Sequence, residues 1–173
     1  MSKLILLDAG PLGMISHPRA DRNRAILEWV ILMMQRGHQI KVPEVSDYEV
    51  RRELIRSSRT LGLRRLDVLR KDLGFLPISS DAMLKAAELW AMVRKKGRPT
   101  AGDSELDADA ILAAQALTVS TERDETVIAT SCVKCVGESF TIIYGAYSRL
   151  LKLFQNCFAT SAFHFQIKKM QIN

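Results

Sequence analysis

No apolar run in this chain approaches the roughly 18 to 20 residues that a bilayer-spanning helix needs. The strongest stretch, Ile26 to Met34, is interrupted by Glu28 and followed by Gln35 and Arg36. At the N-terminus the apolar run Leu4 to Leu7 ends in an acid and is too short for the hydrophobic region of a signal peptide. A cytoplasmic location without a membrane partner is therefore expected. Cysteine is scarce: Cys132, Cys135 and Cys157 are odd in number, so no disulfide is assigned. The closely spaced Cys132 and Cys135 have no second pair, and His17, His38 and His164 are scattered, which excludes a zinc site. No glycine-rich phosphate loop follows the first apolar stretch, and no second aspartate stands two residues after Asp8, which weighs against nucleotide binding and phosphotransfer. Internal repeats and linker-like segments are also missing.

What is present is an ordinary globular mixture, 47% hydrophobic and 25% charged in 173 residues, enough for one substantial core and too little for two. The chain is read as a single domain spanning residues 1–173. Its net charge of +6 would suit a polyanionic partner, but the charge is unevenly placed. Up to Ser131 there are 20 Lys and Arg against 18 Asp and Glu, and beyond it 5 against 1.

Lys3 to Leu7, closed by Asp-Ala-Gly-Pro, predicts a buried strand of the parallel-sheet kind. After a loop containing Pro18, Ile26, Trp29, Val30 and Met33 recur at helical spacing and Gly37 sits where a C-terminal cap belongs, so Asp21 to Arg36 is expected as a helix. Gln39 to Val42 predicts a second strand leading to Pro43. Helices follow from Pro43 to about Ser57 and from Thr60 to Leu73, and Phe75 to Ile78 is a brief extended piece. A long helix capped by Ser80 or Asp81 then runs to the basic stretch Arg94-Lys95-Lys96. An alanine-rich helix opens at Asp103 or Ser104, and Thr126 to Thr130 is the last strand. Trp29 and Trp90 are read as core residues and the three histidines as structural. The alternation of strands and helices points to an α/β sandwich around a parallel sheet.

Three acids fall at or after the carboxyl ends of these strands, or in the helix before the last, which is where such sheets tend to bind ligands: Asp8, Glu49, and Asp107 or Asp109. Carboxylates from separate elements suit a hard divalent cation such as Mg²⁺ or Mn²⁺, which lowers the pKa of a bound water and offsets phosphate charge. Taken alone the pattern favours the plainer reading, Asp8 as a turn residue and Asp107 as a solvated helix position.

The order of the fragments says more. LILLDAGPLG, VPEVSDYEVRREL, and LDADAILAAQAL followed by TVIATS resemble the successive acidic motifs of the PIN domain family, particularly its VapC-like toxins, over about residues 1–131. The resemblance implies a three-layer α/β/α sandwich with a short parallel sheet. It also implies a metal-dependent endoribonuclease, the toxin of a type II toxin-antitoxin pair, with RNA as substrate, a small antitoxin protein as partner and a homodimeric state. By position, Asp8, Glu49 and Asp109 match the catalytic, metal-holding acids, and Thr130 the hydroxyl residue that orients an acid or a water. Asp107 and Asp109 point about 200° apart on a helix. Asp109 is favoured as the ligand, with Asp107 as an outer or second-metal ligand. Glu53, one turn after Glu49, is read as a surface partner of a neighbouring base. Arg51, Arg52 and Arg56 are candidate RNA-phosphate contacts, although a solvated helix face is the simpler reading of them.

The resemblance stops at Ser131, where Cys132 takes the place of the family's asparagine. All three cysteines and five of the six phenylalanines lie beyond it, with Glu138 as the lone acid. Residues 132–173 are therefore expected to be divergent from the family or out of frame with it. A helix at Tyr147 to Phe154 and a strand at Phe163 to Ile167 are the elements expected there. A tail of this kind keeps open an alternative function, a catalytically weak or inactive PIN-like module that binds RNA or a protein.

Overall fold

The computed structural model describes residues 2–18, 23–95, 103–119 and 125–130. Glu138, His164, the cysteines and the two elements expected in the tail lie outside the described residues. The elements are β1 (Lys3–Leu7), α1 (Ala9–Ser16), α2 (Arg24–Gln35), β2 (Gln39–Pro43), α3 (Glu44–Arg56), α4 (Thr60–Leu73), β3 (Phe75–Leu76), α5 (Ser80–Lys95), α6 (Asp103–Val119) and β4 (Glu125–Ala129). The four strands form one parallel sheet in the order β3-β2-β1-β4.

β1 is central, and its unbroken apolar run follows from cover on both faces. Ile5 and Leu7 pack with Leu12 and Ile15 of α1, Ile26, Trp29, Val30 and Met33 of α2, Val50 and Leu54 of α3, and Leu66 of α4. Leu4 and Leu6 point the other way, against Ala116 and Val119 of α6 and Leu76 of β3. A further cluster joins Ala86, Leu89 and Val93 of α5 to Ala110, Ala113 and Ala114 of α6 and to Val45 at the start of α3. These layers make the α/β/α sandwich expected from the sequence. The small alanine faces of α5 and α6 allow them to lie close together.

Local chemistry sets the boundaries. Gly37 (φ 79°) ends α2: its N–H donates to the Met34 carbonyl and that of His38 to the Met33 carbonyl, satisfying the last turn. Gly62 lets α4 approach α3, since a Cβ there would stand 2.8 Å from a Leu54 methyl. Among the described residues no helix is long and apolar enough to cross a membrane.

Three expectations are corrected. Ala9–Ser16, expected as loop, is the helix α1. Its two glycines and one proline are poor helix formers, but Pro11 falls in the first turn, where no N–H is needed. Ser79, rather than Ser80 or Asp81, caps α5, its hydroxyl accepting from the Ala82 N–H at 3.1 Å. Trp90 is 37% exposed, with the Arg94 guanidinium 5.2 Å from its ring centroid. The buried stripe of α5 is Ala82, Ala86, Leu89 and Val93, and Trp90 lies about 100° past Leu89.

Candidate functional site

β2 and β3 lie on one side of β1, and β4 lies on the other. The first crossovers cover one face of the sheet and α5 and α6 the other, so the winding reverses between β1 and β4. In a parallel sheet this reversal opens a crevice beyond the carboxyl ends of the two strands. Leu7 is paired with Ala129, and the Asp8 N–H donates to the Ala129 carbonyl at 2.9 Å. Asp8 and Thr130 are thus the first residues beyond the two strands, side by side at the crevice.

The Asp8 carboxylate caps α1. Oδ1 accepts from the Ala9 N–H at 2.7 Å, and Oδ2 accepts from the Thr130 hydroxyl at 2.6 Å. Both oxygens are therefore oriented, and Thr130, 122 residues away in sequence, fixes one of them. Burial raises the Asp8 pKa, while the Thr130 and Ala9 hydrogen bonds pull it down. Glu49 reaches the same region from α3. Its pKa is raised by burial and then by the Asp8 charge, and lowered by Arg52, whose Nη2 stands 3.7 Å from Oε1. Two partly buried carboxylates on separate elements repel one another, an arrangement that favours a proton or a cation.

Asp109 is partly buried on α6, beside Ala110, which belongs to the cluster containing Val45. Asp107 is exposed, as the 200° separation requires. Among the described residues no three His, Cys, Asp or Glu side chains stand close enough together to hold a metal ion. The arrangement brings together Asp8, Glu49 and Thr130. Oxygen donors of this kind fit a hard divalent cation that retains most of its waters.

The three candidate RNA-contact arginines are engaged. Arg51 donates to both oxygens of the buried Asp47 at 2.9 Å and to Asp67 of α4 at 2.8 Å. Arg56 pairs with Glu53 at 2.6 Å, the surface role expected for Glu53, and Arg52 lies over the Tyr48 ring at 5.4 Å. His17 meets Arg59 at 3.0 Å, and His38 Nδ1 accepts from the Lys3 N–H at 3.2 Å, in keeping with structural roles. Asp47 escaped the sequence reading because an acid one turn before an arginine on a helix usually marks an exposed pair.

The raised pKa of Asp8 has a signed consequence for stability. The folded chain binds the Asp8 proton more tightly than the unfolded chain does, so ionisation penalises folding. The penalty is present in full above the folded pKa and vanishes below the ordinary carboxylate value, about 4. Without divalent metal, Asp8→Asn is expected to raise the thermal midpoint relative to the parent near pH 7, with the gap closing as pH falls toward 4. Thermal melts across that range check this. A gap independent of pH would contradict it.

No protein-family model matches the chain, and no curated protein matches it. Among solved structures, it is similar to a chain of the crystal structure of VapBC2 from Rickettsia felis bound to a DNA fragment from their promoter. The TM-score is 0.56 at 17% sequence identity, over 76% of this chain and 89% of that one. At this identity the likeness is one of fold, the PIN-like α/β/α sandwich built around β1.

Proposed function

We propose that the chain is a metal-dependent endoribonuclease of the VapC-like kind, the toxin of a toxin-antitoxin pair. The observation that carries this reading is the pairing of Asp8 and Glu49 at the crevice, with Thr130 holding Asp8. It is supported by the order of the acidic motifs and by the fold shared with a VapBC2 chain. In this reading Asp8 and Glu49 hold Mg²⁺ or Mn²⁺, Asp109 completes the set from α6, and Asp107 is an outer or second-metal ligand. Bound there, the cation supplies a nucleophilic water of lowered pKa and counter-charge for an RNA phosphate. Asp8 keeps its orientation through Thr130, and Arg52 limits the repulsion between Glu49 and Asp8. An antitoxin protein as partner, a homodimer and a cytoplasmic location belong to the same proposal. RNA cleavage that requires Mg²⁺ and is lost in Asp8→Asn tests it.

Thr130→Val removes a donor to the ionised Asp8 and so raises the Asp8 pKa further. The pH midpoint for divalent-cation binding is expected to move upward, because the proton then competes more strongly with the cation. An unchanged midpoint in a metal titration at several pH values would remove Thr130 from this role.

A second reading is a catalytically weak module that binds RNA or a protein. It is favoured by the lack, among the described residues, of three acids gathered within reach of one ion. RNA binding without cleavage in the presence of Mg²⁺ would select it.

A further inference from the structure

Ser46 Oγ is buried and has no hydrogen-bond partner among the described residues, and the whole residue is 0% exposed. Helical serines commonly turn the hydroxyl back onto a carbonyl of the preceding turn; this one does not, so a buried donor is left without an acceptor in an interior that otherwise satisfies such groups. Ser46 precedes Glu49 by three residues and lies about 60° from it around α3, one turn nearer the N-terminus.

Contacts along α1 and α3 show where that turn lies. A Cβ on Gly13 would stand 3.8 Å from a Val50 methyl. His17, just past the end of α1, meets Arg59, just past the end of α3. The two helices therefore run alongside one another in the same direction. The N-terminal end of α1, capped by Asp8, lies beside the turn of α3 that carries Ser46 and Glu49. The influence of the Asp8 charge on Glu49 agrees with this placement.

We propose that Ser46 is a positioning residue of the Asp8–Glu49 site, its hydroxyl holding a water that enters with the divalent cation. The inference rests on the cation reading proposed above. It accounts for a fully buried hydroxyl that the described residues leave unpaired, in a place where a hard cation retaining its waters would bring an acceptor.

The test is Mn²⁺ binding by the purified full chain, followed by calorimetry, alongside thermal melts without metal. Ser46→Ala is expected to bind Mn²⁺ about tenfold more weakly while its metal-free midpoint equals or exceeds the parent's, since the variant removes an unpaired buried hydroxyl. Thr126→Val is the control: it deletes another buried unpaired hydroxyl, at the opposite end of β4 from the site, and should leave Mn²⁺ affinity unchanged. Equal affinity in Ser46→Ala and the parent overturns the Ser46 inference alone. If the parent fails to bind Mn²⁺, or Asp8→Asn binds it as well as the parent does, the cation reading falls together with the inference.

Discussion

Asp8→Asn is expected to reduce Mg²⁺-dependent RNA cleavage by about a thousandfold or more, roughly 4 kcal/mol of barrier, while the chain stays folded. The size of the effect follows from the position of Asp8. It follows the central strand at the reversal of the sheet, with one oxygen held by the Ala9 N–H and the other by the Thr130 hydroxyl. An amide of the same shape retains the cap of α1 and part of this hydrogen bonding, but it lacks the negative charge that, in the proposed reading, would draw a divalent cation into the crevice. Because ionised Asp8 is penalised by burial, loss of activity in the variant cannot be ascribed to unfolding if its metal-free midpoint matches or exceeds the parent's. Single-turnover cleavage with matched melts checks both parts. Retention of parental activity would remove Asp8 from the metal site.

Arg51→Met should act in the opposite sense, on stability first. Asp47 is buried in the first turns of α3, and its two oxygens are both taken by Arg51, which also ties α4 through Asp67. Removing the guanidinium leaves a buried carboxylate without its main partner. For a fully buried pair such a loss amounts to about 3–5 kcal/mol; with Arg51 partly open to solvent, about 2 kcal/mol is expected. The double variant Asp47→Asn, Arg51→Met should recover part of this, because no buried charge then remains. Urea unfolding of the three variants measures it. If Arg51 serves RNA instead, Arg51→Met will unfold like the parent and lose RNA affinity with a reduced salt slope.

Much of the fold was legible because a buried parallel strand and an amphipathic helix each impose a clear sequence pattern. Leu4 to Leu7 and the Ile26, Trp29, Val30, Met33 spacing led directly to β1 and α2. α1 was not legible, because its helix depends on the Asp8 cap and on packing against Val50 rather than on the propensities of Gly10, Pro11 and Gly13. Trp90 was misread because its place on α5 depends on how narrow the face meeting α6 is, which one helix's sequence does not reveal. Tyr48 and Ile55 recur at helical spacing on α3, yet each is 60% exposed for a similar reason: the core meets α3 along Val50 and Leu54.

The site was legible in part. The order of Asp8, Glu49 and Asp109 was visible as a motif series, and the structure gives the first two a shared electrostatic environment with Thr130 bonded to Asp8. Ser46 was invisible, since a serine three residues before a glutamate carries no signal until its hydroxyl is found buried and unpaired. Asp47 lay beside it with the same ambiguity, resolved only by the double contact from Arg51.

The decisive measurement is cleavage of RNA by the purified chain, compared in Mg²⁺ and in EDTA. A ribonuclease that works through a divalent cation gives phosphodiester cleavage that appears with Mg²⁺ or Mn²⁺, stops in EDTA and returns when the ion is restored. Cleavage that continues undiminished in EDTA, or that is absent with both ions while RNA remains bound, would contradict the proposed function.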